Sequence, residues 1–380
     1  MIDTSALVSW LVDGARDCVM PQAVLQKLSE GLIALGVPAT RNAVFVRTLH
    51  PLVAGRRFAW NAETGIVVSE LKYEVIGTSG YSESPVAYIY SRNTELRRRL
   101  ERADCPMDFP ILAELRAEGI TDYFGTPLRF TFNDEVQVAI WSTKTPGGFS
   151  DEHIDAIRSI VAPLARVAEV RALTRTAAAL LSTYVGPKTA ERVQAGHIQR
   201  GDTESIRAAI WLSDMRGFTS LSDREAPQTI LAVLNRYFDC QVPAIARHGG
   251  EVLKFMGDGL LAIFPVTPEV DAATACAEAL AAAHEARARV AEVEGMRFGL
   301  ALHFGDVLYG NIGSGGRLDF TCIGPAVNLA ARLEKVASQL GRDIVASPEF
   351  AAQSGGTFAP LGEFNLAGFR APQIAYGLAS

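Results

Sequence analysis

The spacing of apolar residues in the first 150 positions alternates between helical and strand-like periods. Leu7, Trp10, Leu11 and Val19 recur near a period of 3.6 residues, and a second helix is predicted over 21–36, between an opening proline and a closing glycine. Runs rich in Val, Ile, Tyr, Phe and Thr predict strands over 42–49, 65–76, 86–90, 128–132 and 136–142, with a helix over 111–119 and a hairpin turn at Asn133 and Asp134. Residues 1–150 are therefore predicted to form one mixed α/β domain.

Residues 151–200 are predicted to form a helical connector. Ser150 is a suitable N-cap, and Asp151 and Glu152 suit the positive end of a helix dipole. The apolar residues that follow step by 3 and 4, as in a parallel helix pair: Ile157, Val161, Leu164 and Ala168, then Val170, Leu173, Ala177, Leu180 and Tyr184. A coiled coil and an amphipathic helix lying on its own domain are the two alternatives, and Pro163 is expected to kink the helix.

The pattern changes in residues 201–380, which are predicted to form a second domain. Strands are expected over 206–213, 297–303, 307–312 and 320–323, with a tight hairpin over 251–264 and helices over 226–247, 270–293 and 326–340. Strands and helices alternate here without a strict βαβα rhythm. We therefore predict an α+β sheet with helices on one face.

The length, composition and net charge exclude several classes of protein. A chain of 380 residues exceeds the size at which single cores stop growing, which supports two domains. The 48% apolar and 21% charged residues exclude extensive disorder. With 42 acidic against 36 basic residues the net charge is -6, so the chain lacks the basic stripe of a nucleic-acid binder.

The chain has neither a long apolar run nor a typical signal peptide. No run approaches the roughly 18 to 20 apolar residues of a membrane span, and the first residues lack a basic region. We expect a cytoplasmic protein with no membrane partner. Its five cysteines are scattered without metal-ligand spacing, and we expect them to be reduced and mostly buried.

Two aspartates are the first candidates for chemistry. Asp214 ends an apolar strand and precedes Met215 and a glycine turn at Gly217, where helix-opening amides could face a phosphate. Asp258 lies between two glycines at the predicted hairpin tip. If that hairpin pairs beside the strand of Asp214, the carboxylates converge and suit Mg²⁺ or Mn²⁺. Otherwise Asp214 is a helix cap and Asp258 a turn residue.

A third candidate element is the helix predicted over 326–340. Asn328 and Arg332 are four residues apart and therefore lie on one helix face. An Asn that can bond a sugar and an Arg that can neutralise phosphoryl charge suit phosphoryl or nucleotidyl transfer. Taken alone, Asn and Arg are ordinary exposed residues of a helix. They indicate a functional site only in combination with the two aspartates.

Three sequence blocks resemble the signatures of class III nucleotidyl cyclases. They are LSDMRGFT from Leu212, GGEVLKFMGD from Gly249, and TCIGPAVNLAARLE from Thr321 to Glu334. The resemblance implies an antiparallel ferredoxin-like α+β catalytic domain that is active as a head-to-tail homodimer. The family's reaction is in-line attack of the ribose 3′-hydroxyl on the α-phosphate, with two Mg²⁺ or Mn²⁺ per site and pyrophosphate as leaving group.

The resemblance also implies a role for each matched residue. Asp214, Asp258 and the carbonyl of Met215 would bind metal, and Gly217, Phe218 and Thr219 would contact the substrate phosphates. Lys254 and Thr321 would read the base, Asn328 and Arg332 would stabilise the transition state, and Arg370 is the candidate C-terminal phosphate contact. Each site would take its metal aspartates from one chain and Lys, Thr, Asn and Arg from the other. Pro325 replaces the Asp that many members carry, in a first helical turn that tolerates proline.

The base-reading pair favours ATP as substrate. Lys254 can only donate, which suits N1 of adenine, and Thr321 can accept from the 6-amino group. The pairing resembles a Lys/Thr subgroup of the family, so we expect an adenylyl cyclase that forms cyclic AMP. The alternatives are a guanylyl or mixed-specificity cyclase and a non-catalytic nucleotide-binding sensor.

The order of strands and helices in residues 1–150 resembles a GAF-type sensory domain. The implied function is regulation of the catalytic domain by a small molecule of unknown identity. The residues His50, Trp60, Tyr90 and Trp141 have no spacing that singles out a ligand, and most such residues lie in a core. His303, in an apolar run, is likewise interpreted as a core residue and not as a base.

Overall fold

The computed structural model describes residues 2–132 and 135–379. The chain divides into two compact units, Met1–Leu180 and Leu181–Ser380. The hairpin turn predicted at Asn133 and Asp134 lies outside the described residues.

The first unit contains a mixed set of helices and strands. Its strands are β1 (Arg41–Arg47), β2 (Gly55–Asn61), β3 (Gly65–Leu71), β4 (Leu96–Arg98), β5 (Asp122–Arg129) and β6 (Val136–Thr143). Its helices are α1 (Ser5–Val12), α2 (Pro21–Ala34), α3 (Tyr73–Ile76), α4 (Ser79–Ser82), α5 (Pro85–Arg92) and α6 (Pro110–Ala117), and α7 (Asp151–Val185) begins here.

The strands of the first unit form one six-stranded sheet in the order β3-β2-β1-β6-β5-β4. Successive strand residues face opposite sides, so Val44 and Trp141 pack with α1, α2 and α7, whereas Ala43 and Ile140 pack with α5 and α6. Trp60 and Trp141 are buried, as their interpretation as core residues predicted. The sheet therefore has helices on both faces.

Helix α7 is buried near its beginning and more exposed further along. Ile157, Ile160 and Leu164 are buried in the core of the first unit. Beyond them, Val170 is 64% exposed and Leu173 is 40% exposed. Pro163 lies inside the helix, which continues past it to Val185.

The strand predicted over 86–90 is wrong, because these residues lie in α5. The Ser84 side chain accepts a hydrogen bond from the Ala87 N–H at 3.1 Å, Pro85 takes the first helical position, and Asn93 closes the helix in a left-handed conformation. Strong caps at both ends of this segment override the strand propensity of Val86, Ile89 and Tyr90.

Other boundaries in the first unit also differ from prediction. The strand predicted over 65–76 ends at Leu71 and is followed by α3, and the strand predicted over 128–132 is the end of β5. Val19 is 86% exposed and lies outside α1. Strands β2 and β4 were not predicted, because adjacent arginines interrupt their alternation of apolar and polar residues.

The second unit is built around a larger sheet. Its strands are β7 (Thr203–Met215), β8 (Glu251–Met256), β9 (Gly259–Pro265), β10 (Phe298–Ser314), β11 (Arg317–Ile323), β12 (Ile344–Ala346), β13 (Phe358–Phe364) and β14 (Gln373–Leu378). Its helices are α8 (Pro187–Gln194), α9 (Phe218–Ser222), α10 (Pro227–Arg247), α11 (Ala272–Ala291), α12 (Pro325–Gln339) and α13 (Pro348–Gln353). Pro325 opens α12 as expected.

The central strands of this sheet follow the order β10-β7-β9-β8. The chain order β7-α10-β8-β9-α11-β10 with antiparallel neighbours is the split βαβ arrangement of ferredoxin-like folds. Strand β7 lies at its centre, between β10 and β9. The ferredoxin-like α+β architecture predicted from the motifs agrees with this topology.

The prediction of helices on one face is wrong. Trp211 faces α10 and α11, whereas the adjacent Ile210 and Leu212 face α12 on the opposite side. Because β7 is apolar on both sides, each face of the sheet needs a layer of helices. In the sequence, the polar residues of α12 made its buried apolar stripe hard to recognise.

The two strands predicted over 297–303 and 307–312 form the single strand β10. Gly305 and Asp306 stay in register with Ala208 and Arg207 of β7. Glycine and aspartate are disfavoured in strands, and continuous pairing with β7 overrides that preference.

Helix α8 is fixed to the sheet by a buried carboxylate. Glu251 on β8 is 4% exposed and accepts hydrogen bonds from Thr189 of α8 at 2.9 Å and from the Tyr309 hydroxyl of β10 at 2.7 Å. The Arg192 guanidinium of α8 lies over the rings of Tyr309 and Phe320, at 5.1 and 5.7 Å from the centroids. These contacts join α8 to β8, β10 and β11.

Two expectations about composition can be compared with the described residues. All five cysteines are free thiols and four of them are buried, which confirms the prediction. Within residues 2–132 and 135–379, no helix has both the length and the apolar character that a membrane span requires.

Candidate functional site

Asp214 lies at the end of the central strand of the second sheet. Ser213 before it is buried, and the Met215 side chain after it belongs to the core. The Asp214 side chain is half-buried. The apolar residues of β7 thus end at Asp214, whose carboxylate lies at the edge of the sheet core.

The hairpin between β8 and β9 brings Asp258 to the same place. Met256 pairs with Gly259, so the turn consists of Gly257, with φ +66°, and Asp258. Strand β9 lies directly beside β7, where Leu260 pairs with Ser213. A Cβ atom on Gly259 would lie 3.0 Å from the Ser213 carbonyl and 3.6 Å from Asp214 Oδ1. The two carboxylates that the sequence predicted to converge are therefore brought together.

The electrostatics of Asp214 reflect this proximity. Burial, the Asp258 carboxylate and the Glu334 carboxylate together raise the pKa of Asp214 to about 7, and the nearby Arg216 guanidinium opposes the rise. The Asp258 carboxylate is therefore close enough for its negative charge to oppose ionisation of Asp214. A divalent cation bound between the carboxylates would offset this repulsion.

The donor set around the pair consists of oxygen atoms. In the part of the chain that the structure describes, no group of three His, Cys, Asp or Glu side chains is placed to hold a metal. Two carboxylates and the adjacent Met215 carbonyl suit a hard cation whose remaining ligands come from elsewhere. The residues present fit Mg²⁺ or Mn²⁺ better than zinc.

Arg216 links the end of β7 to helix α12, a role the sequence did not reveal. Its Nη1 lies 2.7 Å from the Glu334 carboxylate, and the two side chains are only 13% and 12% exposed. The guanidinium lies over Gly299, where a Cβ atom would approach Arg216 Nη2 to 1.8 Å. No local signal could have found this pair, because its members are far apart in sequence.

Gly217 opens the short helix α9. It adopts a left-handed conformation with φ +77°, and Phe218 and Thr219 form the first turn of that helix. The Phe218 side chain packs against the core, whereas Thr219 is exposed. The turn after Asp214 thus has the glycine geometry that the sequence indicated.

Lys254 and Thr321 lie on β8 and β11. Thr321 is 4% exposed, and its buried hydroxyl has no hydrogen-bond partner among the described residues. Burial raises the pKa of the adjacent Cys322 thiol to about 12, and the positive charge of Lys254 opposes that rise. Lys254 is thus within electrostatic range of the residue that follows Thr321.

A cavity of about 650 Å³ adjoins this pair of strands. Its lining includes Lys254 and Phe255 of β8 and Asp319 and Phe320 of β11. The Phe255 ring is 54% exposed and lies 4.5 Å from the ring of Phe238, measured between centroids. Thr321 follows Phe320 in β11 and is not among the residues that line this cavity.

Asn328 and Arg332 lie one turn apart on α12. Asn328 is exposed and Arg332 is half-buried, with its Nε donating to the Ala367 carbonyl at 3.2 Å. Ala367 lies in the connection between β13 and β14. Arg370 lies in the same connection and is exposed.

The predicted residues lie on several elements of the second unit. Asp214 and Asp258 form one group at the ends of β7 and β9. Among the described residues, no hydrogen bond or ion pair joins them to Lys254, Thr321, Asn328 or Arg332. The structure thus brings the two aspartates together and, among the described residues, shows no such bond from them to the other four.

His303 has the core role that the sequence indicated. Its side chain is 5% exposed, its Nδ1 lies 2.8 Å from the Ser347 hydroxyl, and burial lowers its pKa. A neutral, hydrogen-bonded histidine inside the sheet is part of the packing.

Comparison with known proteins finds similarity in the second unit. Residues 202–379 match the family model described as the adenylate and guanylate cyclase catalytic domain. The chain is similar to adenylate cyclase 1 of Rhizobium meliloti (strain 1021), with 30% identity over 45% of this chain and 27% of that protein. It is also similar to an adenylate cyclase of Anabaena cylindrica, with 33% identity over 39% of this chain and 31% of that protein.

The matches are confined to part of each protein. The chain spans less than a third of the length of the two curated relatives, at 27% and 31%. A solved structure, the adenylyl cyclase CyaB from P. aeruginosa, is 25% identical over 47% of this chain and 96% of that chain, with a TM-score of 0.41. The match of residues 202–379 to the family model supports the resemblance predicted from the three sequence blocks.

The raised pKa of Asp214 predicts how metal-free stability depends on pH. Between its ordinary value of 3.8 and about 7 the folded chain keeps a proton that the unfolded chain has released. The free energy of unfolding should therefore fall as pH rises through this window, and Asp214→Asn should remove the fall. At about pH 8 in EDTA we expect the variant to be more stable by on the order of 1–3 kcal/mol, and at about pH 4 to match the wild type.

The measurement is thermal unfolding of the full chain across this pH range. Asp223→Asn, at an exposed aspartate of the same unit, is the matched control and should follow the wild type. Parallel pH profiles for wild type and Asp214→Asn would contradict the raised pKa of Asp214.

Proposed function

We propose that the cyclase catalytic domain at residues 202–379 is an adenylyl cyclase, which converts ATP to 3′,5′-cyclic AMP and pyrophosphate. The observation that carries the proposal is the proximity of Asp214 and Asp258, held at the ends of neighbouring strands in the domain that matches the family. Two carboxylates placed side by side favour binding of divalent cations that accompany a nucleotide triphosphate.

Asp214, Asp258 and the Met215 carbonyl would hold two Mg²⁺ or Mn²⁺ ions per site. Bound there, the ions would supply Lewis acidity that lowers the pKa of the ribose 3′-hydroxyl and neutralises phosphate charge. The protein's part is to keep both carboxylates at one point through the β7 and β9 pairing, so that little reorganisation is needed on binding. The glycine turn at Gly217, with Phe218 and Thr219, would place backbone N–H groups toward the triphosphate.

Lys254 and Thr321 would select adenine. The Thr321 hydroxyl is buried without a partner, so an adenine 6-amino group would remove an unsatisfied polar atom. Lys254 would donate to N1, which is an acceptor in adenine and a donor in guanine. A guanine base would leave Lys254 facing a hydrogen, and this mismatch is the basis of the proposed preference.

Asn328, Arg332 and Arg370 would act on the phosphate and sugar. Arg332 already has one donor engaged with the Ala367 carbonyl, which fixes its side chain while leaving its other donors available. A guanidinium held in this way can stabilise charge that develops on the α-phosphate without a large loss of entropy. Asn328, one turn earlier, would orient the ribose.

A homodimer would complete two sites. Among the described residues, no hydrogen bond or ion pair joins the aspartates to Lys254, Thr321, Asn328 or Arg332, which supports a site whose halves come from different chains. Exposed apolar side chains on β8 and β11 support contact with a second copy: Phe255 (54%), Met256 (41%), Leu318 (37%) and Ile323 (45%). A two-fold arrangement would place the aspartates of each chain against Lys254 and Arg332 of the other.

We also propose that residues 1–150 form a GAF-like regulatory domain, connected by residues 151–200 to the catalytic domain at 201–380. A six-stranded sheet with helices on both faces supports a sensory domain of this type. The exposed Val170 and Leu173 on α7 support a coiled coil between two chains as the connector. Regulation would shift the population between two dimer arrangements in a cytoplasmic protein.

A competition assay tests the activity and its specificity. Purified full-length chain is incubated with ATP and GTP together and Mn²⁺, and the cyclic nucleotides are identified by mass spectrometry. We expect cyclic AMP as the main product. Cyclic GMP in equal or larger amount would support the guanylyl or mixed-specificity alternative, and no cyclic nucleotide would support a non-catalytic sensor.

Mixing inactive variants tests the shared site. Asp214→Ala and Arg332→Ala should each be inactive alone, because each removes one half from both sites. Random mixing at equal amounts makes about half of the dimers mixed, each with one intact site of two, so activity should return to about a quarter of the wild type. The matched control mixes Asp214→Ala with Asp258→Ala, which affect the same half and should show no recovery. Equal activity in both mixtures would contradict the model.

A paired substitution tests the base-reading residues. Lys254→Glu with Thr321→Cys replaces a donor by an acceptor, so the ratio of kcat/KM for ATP over GTP should fall by about 10-fold or more. Lys144→Glu, at an exposed lysine in the first unit, is the matched charge control and should leave the ratio unchanged. An unchanged ratio in the double variant would show that these residues do not read the base.

A further inference from the structure

The first unit contains a cavity of about 430 Å³ on the α5 and α6 side of its sheet. This volume falls in the range of small-molecule sites. The walls come from β1, β2, β3, β5 and β6, from α6, and from the segment around α3, α4 and α5. Helices α3 and α4 have no buried residue, so this side of the cavity has a thin cover through which a small molecule could pass.

The charged residues that line the cavity are all basic. Arg41 and Arg57 are among the lining residues, which include no Asp or Glu. Arg41 forms an ion pair with Glu118 at 2.9 Å. Among the described residues, the half-buried Arg57 side chain has no hydrogen-bond or ion-pair partner. The Arg57 guanidinium is partly accessible to solvent and has its donors available for an anion in the cavity.

The two guanidinium groups also affect each other. Burial lowers the pKa of Arg57, and the positive charge of Arg41 lowers it further. Glu118, the partner of Arg41, is 57% exposed and is not part of the cavity wall. Of the two positive charges in the wall, that of Arg57 therefore has no acidic partner among the described residues, and that of Arg41 is paired from outside the wall.

Other polar groups are grouped near Arg41. In the register of the sheet, Ser142 pairs with Arg41 on one side and with Tyr123 on the other. Burial raises the pKa of Tyr123 above its ordinary value, so its hydroxyl remains a neutral donor. The rest of the wall is mainly apolar, including Phe45 and Ile140. The cavity thus has a cationic, donor-rich part and an apolar part.

We propose that this cavity binds a small amphipathic organic anion, with a carboxylate or phosphate on Arg57 and Arg41 and an apolar body against Phe45 and Ile140. Two arginines with donors nearby match the geometry of either head group. The cavity between β1, β2 and α7 has only about 60 Å³, too small for such a molecule. The proposed site lies in the first unit and does not depend on the cyclase activity of the second.

Calorimetric titration of the full chain, without nucleotide or metal, tests the proposal. The probes are phenylacetate, phenyl phosphate and phenylethanol, which share an apolar body and differ in head group. We expect at least one anion to bind about 10-fold more tightly than the alcohol, and the tighter anion identifies the preferred head group. Failure of both anions to bind, or equal binding of the alcohol, would overturn the proposal.

Variants of Arg57 assign the binding to this cavity. Arg57→Met should weaken anion binding about 10-fold, whereas Arg57→Lys, which keeps the charge, should weaken it less. Because Arg57 has no partner, the unliganded Arg57→Met chain should unfold at or above the wild-type temperature. Arg102→Met, at an exposed arginine paired with Asp104, is the control and should bind as the wild type does. Unchanged affinity in Arg57→Met would place the anion elsewhere and refute the site.

Discussion

The register between β7 and β9 is the constraint on which the second unit depends. It places the residue after Asp258 beside Asp214, so two like charges meet at the end of a sheet whose interior is apolar. Such an arrangement is costly unless a proton or a cation lies between the carboxylates. The fold maintains it because the cost is small compared with the burial of Trp211, Leu260 and their neighbours on the same strands. The core of the unit thus stabilises a site that would not be stable by itself.

The ion pair between Arg216 and Glu334 extends this constraint to α12. Arg216 follows directly on the residues at the end of β7, and Glu334 lies two residues beyond Arg332. The pair is nearly buried and its guanidinium fills the space over Gly299, so neither partner can move without loss of packing and charge. In the proposed dimer, Asp214 and Arg332 of one chain serve different sites. The ion pair would then link the metal half of one site to the transition-state half of the other.

Much of this arrangement could be predicted from the sequence, and the failures have physical causes. The glycine turns at Gly217 and Gly257 and the aspartates beside them are local signals, and they were found. The strand predicted over 86–90 failed because caps at Ser84 and Asn93 outweigh the preferences of the residues between them. The break predicted in β10 failed because tertiary pairing with β7 overrides local propensity. The pairing of Arg216 with Glu334 and the isolation of Arg57 depend on contacts between distant strands and helices, which no local pattern encodes.

The contacts of α8 determine which strands of the second unit would shift if α8 moved. Glu251, which holds Thr189 of α8, lies three residues before Lys254 on β8, and the Arg192 guanidinium lies over Phe320, next to Thr321. The carboxylates at the ends of β7 and β9 have no such bond to α8 among the described residues. A tilt of α8 would therefore displace the strands that contain Lys254 and Thr321. In the proposed enzyme, a movement of α8 would therefore change the selection of the base more than it would change the affinity for metal ions.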